Sequence, residues 1–528
     1  MKITLLLISL LAFQYLNAQD TLIVYFKDKG TTEFVQLSDR AIQRRKKNNV
    51  ALDERDKQVN QTYIDFLKTE GTVMNVSRWL NGLTLITTTS ELELKNTYEF
   101  IKDIKVSKSI TPLKGASKLG EIDEVKADYG PAQNQIEQIG LDCLHDMGYN
   151  GNGIFIAVID AGFRGMDTIP YFDSTFIEGR VIDTYDILTG TSDVYQYSGH
   201  GTAVSSCIVA ESDGTNPISA TAVEVDIALY VSENVASETL VEEFDLVIAL
   251  ERADSVGADI ATISLGYKDF DNPGDNHEYS ELDGVTTIAS IGVNAAVSKG
   301  ILVLTSAGNG GPSTISTPCD ADSCLCIGAL DDQGWYADFS SVGPSADNQV
   351  KPDIMARGLN AALVAEWGDI TFGSGTSFSC PIMAGAMACL MEANPQSTVL
   401  ELMTAIRQSG NTYLVPNIYT GFGTPNMCLA HDSLNSTASL EEINANDFKL
   451  YPNPTAGQFI ITGIDFDPEN MNFQVINMMG EITEMKNLKF GKNQLVADLS
   501  AFANGVYFVQ MQIGNTVVLR KRVVKVSE

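Results

Sequence analysis

Residues 154–162 read Ile-Phe-Ile-Ala-Val-Ile-Asp-Ala-Gly, and this stretch decides the fold. Six consecutive apolar residues before an acidic residue and a glycine predict a strand, Ile154–Ile159, buried on both faces and ending at Asp160. Comparable runs predict further strands at Asp226–Val231, Ala258–Ser264 and Ile301–Ser306, and helical patterns between them include Glu238–Ser255 and Val285–Lys299. Because apolar runs alternate with helices, the sequence predicts an α/β fold with a doubly wound parallel sheet.

Three polar residues fall where such a sheet places functional groups, at carboxyl ends of strands and amino ends of helices. Asp160 follows the first strand, and His200 opens a helical pattern between two glycines. Ser377 begins the helical stretch that runs toward Met391, with Pro381 expected near its first turn. In a serine hydrolase, Ser attacks the acyl carbon, His carries the proton and Asp orients the ring. The chain order Asp–His–Ser is that of the subtilisin arrangement.

Each of these residues alone has an ordinary explanation. An Asp can cap a turn, and a Ser at this position is more often a helix cap than a nucleophile. The chain has four histidines, and the three outside the Ser-Gly-His-Gly-Thr stretch are expected to be surface or satisfied histidines: His145, His277 and His431. The constellation, and not any single residue, therefore carries the hypothesis.

The blocks around these residues resemble the subtilisin-like serine peptidases (subtilase family) over residues 130–431. The matching blocks are residues 157–162, 200–202, 375–381 and 305–311, with weaker likeness at 264–267, 339–344 and 351–354. The resemblance implies Ser377 as nucleophile, His200 as base and acid, Asp160 as orienter and Asn309 as oxyanion donor. It also implies that Ser264, Leu265 and Gly266 form a substrate-binding strand that pairs with the peptide backbone. One departure is Ser219–Glu224, which stands where the family carries a Gly-x-Ala-Pro turn.

The resemblance implies a secreted serine endopeptidase that acts on proteins or peptides through an acyl-enzyme. This chemistry requires no cofactor, and we assign no metal ligand, although acidic loops could hold structural Ca²⁺. Two alternatives stay open at this point. One is a non-catalytic surface adhesion or binding protein on a subtilase scaffold, and the other is a maturation peptidase with narrow specificity.

The composition and the start of the chain indicate export. The net charge is −32, and residues 130–432 carry the whole acidic excess, which argues against binding of nucleic acid by charge neutralisation. Residues 1–18 show a lysine, an apolar run and a terminal small residue, the pattern of a signal peptide. No later stretch reaches the roughly 18 apolar residues of a membrane span. We therefore expect a protein that is secreted or held on the cell surface after passing the periplasm.

The last residues form a separate unit. A polar linker at residues 432–447 precedes a segment, residues 448–528, with short alternating strands at Gln458–Thr462, Asn472–Asn477, Val506–Gln512 and Thr516–Val524. This pattern predicts a small all-β sandwich. Its Tyr-Pro-Asn-Pro opening, middle segment 498–507 and basic end resemble the C-terminal sorting domain of the type IX secretion system, which implies that machinery as a partner. A carbohydrate-binding or other accessory domain would show similar strands.

Residues 19–115 read as a small α/β unit in the position of a subtilase propeptide, an inhibitor and folding aid. Predicted strands lie at Thr21–Phe26 and Leu80–Thr88, and predicted helices at Ser38–Lys47, Gln58–Lys68 and Glu91–Tyr98. The segment contains a basic run, which is either attracted to the acidic central region or lies on a solvated helix face. Its members are Arg40, Arg44, Arg45, Lys46 and Lys47. We expect the activating cut within the polar stretch Ile110–Asp128.

The eight cysteines show no zinc-ligand spacing. Cys319 and Cys324 lie five residues apart in a turn-rich stretch. The sequence leaves two possibilities open: a small-loop disulfide between them, or no disulfide at this pair. Cys207, Cys380 and Cys389 lie in apolar helical patterns, where a buried free thiol is as acceptable as a bridge.

Overall fold

The architecture is given by a computed structural model, in which the chain divides into two compact units. The first comprises residues up to 411 with 418–431, and the second comprises residues 412–417 with 432–528. The described residues are 20–108, 119–120, 129–435, 449–462, 471–477, 482–484, 488–491, 494–502, 505–513 and 516–526. The predicted signal peptide, most of the predicted activation stretch and most of the predicted linker lie outside them.

Residues 20–108, here called the N-terminal segment, form a four-stranded antiparallel sheet with strand order β2-β3-β1-β4. The elements are β1 (Asp20–Phe26), α1 (Asp39–Lys47), α2 (Gln61–Leu67), β2 (Gly71–Ser77), β3 (Gly82–Thr87), α3 (Glu91–Thr97) and β4 (Ile101–Ser107). Alternation along β1 gives the sheet two apolar faces. Leu22 and Val24 lie in the core of this segment, whereas Ile23 joins the buried cluster of the central region.

Three arginines of α1 contact the central region, which decides between the two readings of the basic run. Arg40 pairs with Asp259 at 2.5 Å, and Arg44 and Arg45 both pair with Asp254, at 2.5 and 2.6 Å. Arg44, Arg45 and Asp254 are buried, so these are not solvated surface charges. Of the five basic residues in the run, Lys46 is exposed and does fit the solvated-face reading.

The central region, here residues 119–120, 129–411 and 418–431, is built on a seven-stranded parallel sheet with strand order β12-β11-β10-β9-β6-β8-β7. A short antiparallel sheet pairs β13 with β14 and β14 with β5. The strands are β5 (Leu119–Gly120), β6 (Phe155–Asp160), β7 (Val181–Asp186), β8 (Asp226–Val231), β9 (Ile260–Ile263), β10 (Leu302–Ser306), β11 (Leu325–Leu330), β12 (Ile354–Arg357), β13 (Ala361–Val364) and β14 (Ile370–Gly373).

Helices cover the parallel sheet. They are α4 (Gln133–Glu137), α5 (Asp142–Asp146), α6 (Asp173–Ile177), α7 (His200–Val209), α8 (Leu240–Val256), α9 (Ile288–Ser298), α10 (Thr376–Ala393), α11 (Val399–Gln408) and α12 (Met427–Asn435). Phe155, Ala157 and Ile159 of β6 share a buried cluster with α8 and α9. Ile156 and Val158 are equally buried and face the opposite side of the sheet, because side chains alternate along a strand. Helices of the length and apolarity needed to cross a bilayer are absent from the described ranges.

Pro381 lies in the interior of α10, not near its first turn as expected, since the helix begins at Thr376. Proline has no N–H, so it cannot bond the carbonyl four residues earlier, which is that of Ser377. The Ser264 hydroxyl donates to this carbonyl instead, at 2.9 Å. The carbonyl that the proline leaves without a helical partner therefore links the start of α10 to the segment that follows β9.

The second unit contains two four-stranded antiparallel sheets, β15-β16-β20-β19 and β18-β17-β21-β22. The strands are β15 (Lys449–Tyr451), β16 (Gln458–Thr462), β17 (Met471–Asn477), β18 (Ile482–Glu484), β19 (Lys489–Gly491), β20 (Gln494–Asp498), β21 (Gly505–Ile513) and β22 (Thr516–Lys525). Phe459 and Leu495 of the first sheet share a core with Phe473 and Val509 of the second. The two sheets thus form a sandwich, as the sequence predicts.

Cys319 and Cys324 do not form a disulfide, so that possibility is wrong. Cys319 is bonded to Cys326, and Cys143 to Cys428. The thiol of Cys324 is instead buried against backbone carbonyls, with the Ala321 oxygen 3.4 Å away. Cys207, Cys380 and Cys389 are buried free thiols.

Candidate active site

Asp160 is the last residue of β6 and is fully buried. Its Oδ1 atom accepts a hydrogen bond from the Ala161 amide at 2.7 Å and lies 2.8 Å from His200 Nδ1. The hydrogen bond from the Ala161 amide therefore holds the carboxylate in the orientation in which it contacts the imidazole. A ring held at Nδ1 in this way presents Nε2 as its remaining proton-accepting atom.

His200 is the first residue of α7, and its side chain is 30% exposed. Gly201 permits a close approach, because a Cβ there would lie 2.5 Å from the Gly162 carbonyl oxygen. Burial disfavours the charged ring, but attraction and hydrogen bonding from Asp160, with a contribution from Glu233, raise the pKa of His200 above its ordinary value.

Ser377 is the second residue of α10, and its half-buried side chain reaches the same area. Its hydroxyl donates a long hydrogen bond of 3.5 Å to the Ser264 carbonyl. The neighbouring Phe378 ring lies 6.2 Å from the His200 ring, centroid to centroid, which brings the starts of α7 and α10 together. The unsatisfied N–H groups of a long helix amino end favour negative charge at this point.

Asn309 lies three residues beyond the end of β10. Its Oδ1 atom accepts hydrogen bonds from the Thr376 amide at 2.9 Å and from the Thr376 hydroxyl at 3.1 Å. Because these hydrogen bonds hold Asn309 Oδ1 against Thr376, the Nδ2 donor of the same amide points away from Thr376. A Cβ added to Gly375 would lie 3.6 Å from this nitrogen, an ordinary van der Waals distance, so Gly375 and the donor are direct neighbours.

Two adjoining cavities connect these groups. One of about 540 Å³ is lined by Asn309 and Ser377, and one of about 320 Å³ by His200 and Ala161. The predicted substrate-binding residues Ser264, Leu265 and Gly266 line both cavities and follow directly on β9. The structure thus gathers all seven predicted site residues around one cleft.

Three acidic residues near this cleft are not predicted from the sequence as part of the site. Glu233, Glu238 and Glu242 each offer a carboxylate oxygen, and these oxygens lie within 4.8 Å of one another. In the sequence they read as part of a generally acidic surface. The available signal is that Glu233 comes two residues after β8, at the functional edge of the sheet.

Comparison with known proteins identifies three regions. A model of the subtilase family matches residues 151–424, one of the Peptidase S8 propeptide domain of Bacteroidota matches residues 21–121, and one of a secretion system C-terminal sorting domain matches residues 449–525. Subtilisin NAT of Bacillus subtilis subsp. natto is 28% identical over 328 residues, covering 61% of this chain and 77% of the relative. Subtilisin of Bacillus pumilus is 29% identical over 297 residues, covering 55% and 96%.

Among solved structures, that of the prenylagaramide maturation protease PagA matches 56% of this chain and 98% of its own, at 23% identity and a TM-score of 0.45. The predicted fold class, the serine endopeptidase activity and the export of the protein are confirmed by the family matches and relatives. The sorting domain indicates that the protein is secreted, to the cell surface or beyond it. Because the first family model spans more than half of the sequence, this chain belongs to the subtilase family of serine peptidases.

Proposed function

We propose that this endopeptidase cleaves protein substrates with Ser377 as nucleophile, His200 as general base and acid, Asp160 as orienter and Asn309 as oxyanion donor. The observation that carries the proposal is the 2.8 Å contact between Asp160 and His200 at the edge of a cleft that Ser377 and Asn309 line. These side chains supply every group that acyl transfer needs, so the chemistry requires no cofactor.

The reaction begins with neutral His200, whose Nδ1–H donates to Asp160 and whose Nε2 takes the proton of the Ser377 hydroxyl. The serine oxygen attacks the peptide carbonyl, and the oxygen that becomes negative is stabilised by Asn309 Nδ2 and the amino end of α10. Protonated His200 then gives its proton to the leaving amine, which leaves an acyl-enzyme on Ser377. Water activated by His200 releases the acid and restores the serine.

An activated ester tests the acyl-enzyme directly. Mixing the processed protein with excess p-nitrophenyl ester should release a rapid burst of p-nitrophenol stoichiometric with the enzyme, followed by slower turnover. Sequencing of the new amino termini from an unfolded protein substrate then shows internal cleavage. A protein that binds but never hydrolyses either substrate would be a scaffold without this activity.

Replacing Asn309 by Ala should lower kcat by about 10²–10³-fold, because the developing oxyanion loses a fixed donor. KM should change little, since the donor acts chiefly in the transition state. Steady-state kinetics on one peptide substrate separate the two parameters. A loss confined to KM would assign Asn309 to ground-state binding instead.

We further propose that the N-terminal segment acts as the propeptide of its own catalytic domain. Support comes from the ion pairs of α1 and from the β2–β3 turn, where the amides of Arg78 and Trp79 donate to Glu251 at 3.2 and 3.0 Å. Asp254 and Glu251 both lie on α8, so two parts of the segment hold one helix. An interface of buried, hydrogen-bonded charges favours a specific docked arrangement.

Changing Asp254 to Asn should destabilise the uncut precursor by about 3–5 kcal/mol, because it leaves the buried guanidinium groups of Arg44 and Arg45 without their shared carboxylate. Urea unfolding of the precursor, made in a Ser377→Ala background to prevent self-cleavage, measures the loss. Asp332→Asn, at an exposed carboxylate, is the matched control and should leave the midpoint in place. Equal stability of the two variants would refute the role given to Asp254.

The proposed organisation is a signal peptide at 1–18, a propeptide at 19–115, the peptidase domain at 130–431, a linker at 432–447 and a sorting domain at 448–528. Its partners are then protein or peptide substrates at Ser264–Gly266, its own propeptide, and the type IX secretion machinery. Mass spectrometry of the secreted protein tests the boundaries by locating the amino terminus and any removal of residues 448–528.

A further inference from the structure

The 540 Å³ cavity lies between two chain segments that leave the same edge of the parallel sheet. Ser264–Gly266 follow β9, and Gly308–Gly310 follow β10, the strand that pairs with β9. In the proposed mechanism Ser377 attacks the peptide carbonyl and Asn309 binds its oxygen, and both residues line this cavity. The residue that supplies this carbonyl, here called the acyl residue, therefore places its side chain in the cavity.

Ser316 and Thr317 connect the two segments. Tyr267 and Thr317 exchange backbone hydrogen bonds of 2.8 and 3.1 Å, which hold the end of the first segment. The Ser316 amide donates to the Ala307 carbonyl at 3.4 Å, which holds the start of the second. Because Ser316 itself lines the cavity, it forms the part of the wall that spans the gap between the segments.

The side chain of Ser316 narrows this gap. A Cβ added to Gly266 would clash with the Ser316 hydroxyl oxygen, and a Cβ added to Gly308 would lie 3.1 Å from it. The hydroxyl thus lies close to both segments, and a substrate side chain that enters between them meets it. An aromatic ring at this point would have to displace Ser316, which is unfavourable in a packed wall.

Two hydroxyl groups of the cavity are not used by the protein. The hydroxyls of Ser306 and Ser316 have no hydrogen-bond partner among the described residues, although both residues line the cavity. The Ser341 hydroxyl in the same cavity is used, because it accepts a hydrogen bond from the Gly310 amide at 3.0 Å. A substrate that covers Ser306 and Ser316 without bonding to them would separate two polar groups from water, which is costly.

The other residues that line the cavity offer little to an apolar side chain. Leu265 is the one aliphatic residue among the described lining residues, and none of them is aromatic. The charged lining residues have opposite signs, Lys268 against Glu238 and Asp269, and none of the three is buried. A side chain beside the two unpaired hydroxyls therefore meets neutral polar groups, which suit a neutral polar partner better than an apolar or a charged one.

We propose that Ser316 is a specificity-determining residue that, together with Ser306, hydrogen-bonds the side chain of the acyl residue, so that the enzyme prefers Gln or Asn at that position to Leu or Phe. The inference deepens the proposed function and rests on it. A carboxamide offers two N–H donors and a carbonyl acceptor, and a serine hydroxyl both donates and accepts. Each group therefore finds a partner in the other, and the small amide fits between Gly266 and Gly308 where a phenyl ring does not.

The test uses the processed protein and peptides that are identical except at one residue, which is Gln, Asn, Leu, Phe, Arg or Glu. Mass spectrometry of the products locates the cleaved bond. For cleavage directly after the varied residue, kcat/KM should be about 10- to 30-fold higher for Gln or Asn than for Leu or Phe. This ratio corresponds to two hydrogen bonds that each contribute roughly three- to sixfold.

Ser316→Ala should lower the preference for Gln over Leu about fivefold, because one of the two hydrogen bonds is lost. Ser316→Gly should in addition raise kcat/KM for the Phe peptide above its wild-type value, because the gap between Gly266 and Gly308 widens. A variant that is merely destabilised would lose activity on every peptide and gain none. Ser212→Ala, which removes an exposed hydroxyl outside both cavities, is the matched control and should keep the wild-type ratio.

Equal kcat/KM for all the peptides, or a preference for Leu, Phe, Arg or Glu at the varied residue, would overturn the inference while leaving the peptidase intact. Cleavage that avoids the bond after Gln or Asn, or a wild-type ratio in Ser316→Ala, would count against it in the same way. If no peptide is cleaved, the proposed function fails, and calorimetric binding of the same peptides to the same protein decides the inference. Tighter binding of the Gln and Asn peptides would then support it, and equal or absent binding would refute it.

Discussion

The Ser377→Ala variant should lose about a millionfold in kcat, the magnitude known for the corresponding change in subtilisin, while KM stays near that of the wild type. The reason is that the hydroxyl oxygen forms the bond to the acyl carbon, and no neighbouring atom can replace it. Burst and steady-state kinetics measure the loss. The precursor of this variant should also keep its N-terminal segment uncut if the enzyme processes itself.

Ser374→Ala provides the control for this change. Ser374 lies three residues earlier, and its hydroxyl contacts the Asn360 amide at 3.0 Å. Activity of this variant should stay close to that of the wild type, because its hydroxyl makes a local contact outside the two cavities. Residual turnover of Ser377→Ala within a hundredfold of the wild type would exclude Ser377 as the nucleophile.

The Asp160→Asn variant should lose about 10⁴-fold in kcat, the cost of holding the general-base imidazole in the wrong tautomer. It should also change the pH profile. In the wild type, kcat/KM falls as the pH drops through the raised pKa of His200, since the protonated ring cannot accept the serine proton. Without the negative charge of Asp160 the pKa of His200 falls, so the acid limb of the residual activity should move to lower pH.

A pH series on one peptide substrate, with burst titration to count active enzyme, gives both results. The shift of the acid limb separates an electrostatic role from a purely structural one, because a loosened fold would reduce kcat without moving the limb. An unchanged limb, or a loss below tenfold, would show that Asp160 does not orient His200.

The central strands and the candidate site residues could be predicted from the sequence, because each depends on a pattern within a few neighbouring residues. The β8 strand, Asp226–Val231, has the predicted bounds because a continuous apolar run follows Asp226 and the strand pairs with β6 and β7. Strand β7, Val181–Asp186, is not predicted from the sequence, because it lies at the edge of the sheet and its polar residues Asp183, Thr184 and Asp186 leave it without a continuous apolar run. The candidate site residues stand in short motifs directly beside strand and helix ends.

Features that depend on tertiary packing could not be predicted. The partner of Cys319 is Cys326, two residues beyond the expected one. Cys326 lies in strand β11, which begins at Leu325, whereas Cys324 precedes the strand and its thiol is buried against the Ala321 carbonyl. The pairing of Arg44 with Asp254 joins residues 210 positions apart. Glu233 and Glu242 likewise meet only when the loop after β8 folds back onto the first turn of α8, and in the sequence they resemble solvated surface charges.

Labelling with a serine-directed fluorophosphonate tests the central claim most directly. The processed wild type and the Ser377→Ala variant are treated in parallel, and mass spectrometry of the peptides locates the adduct. We expect one adduct on Ser377 in the wild type and none in the variant. A folded, processed wild type that takes no adduct, or takes it on another residue, would contradict the assignment of Ser377 as the catalytic nucleophile.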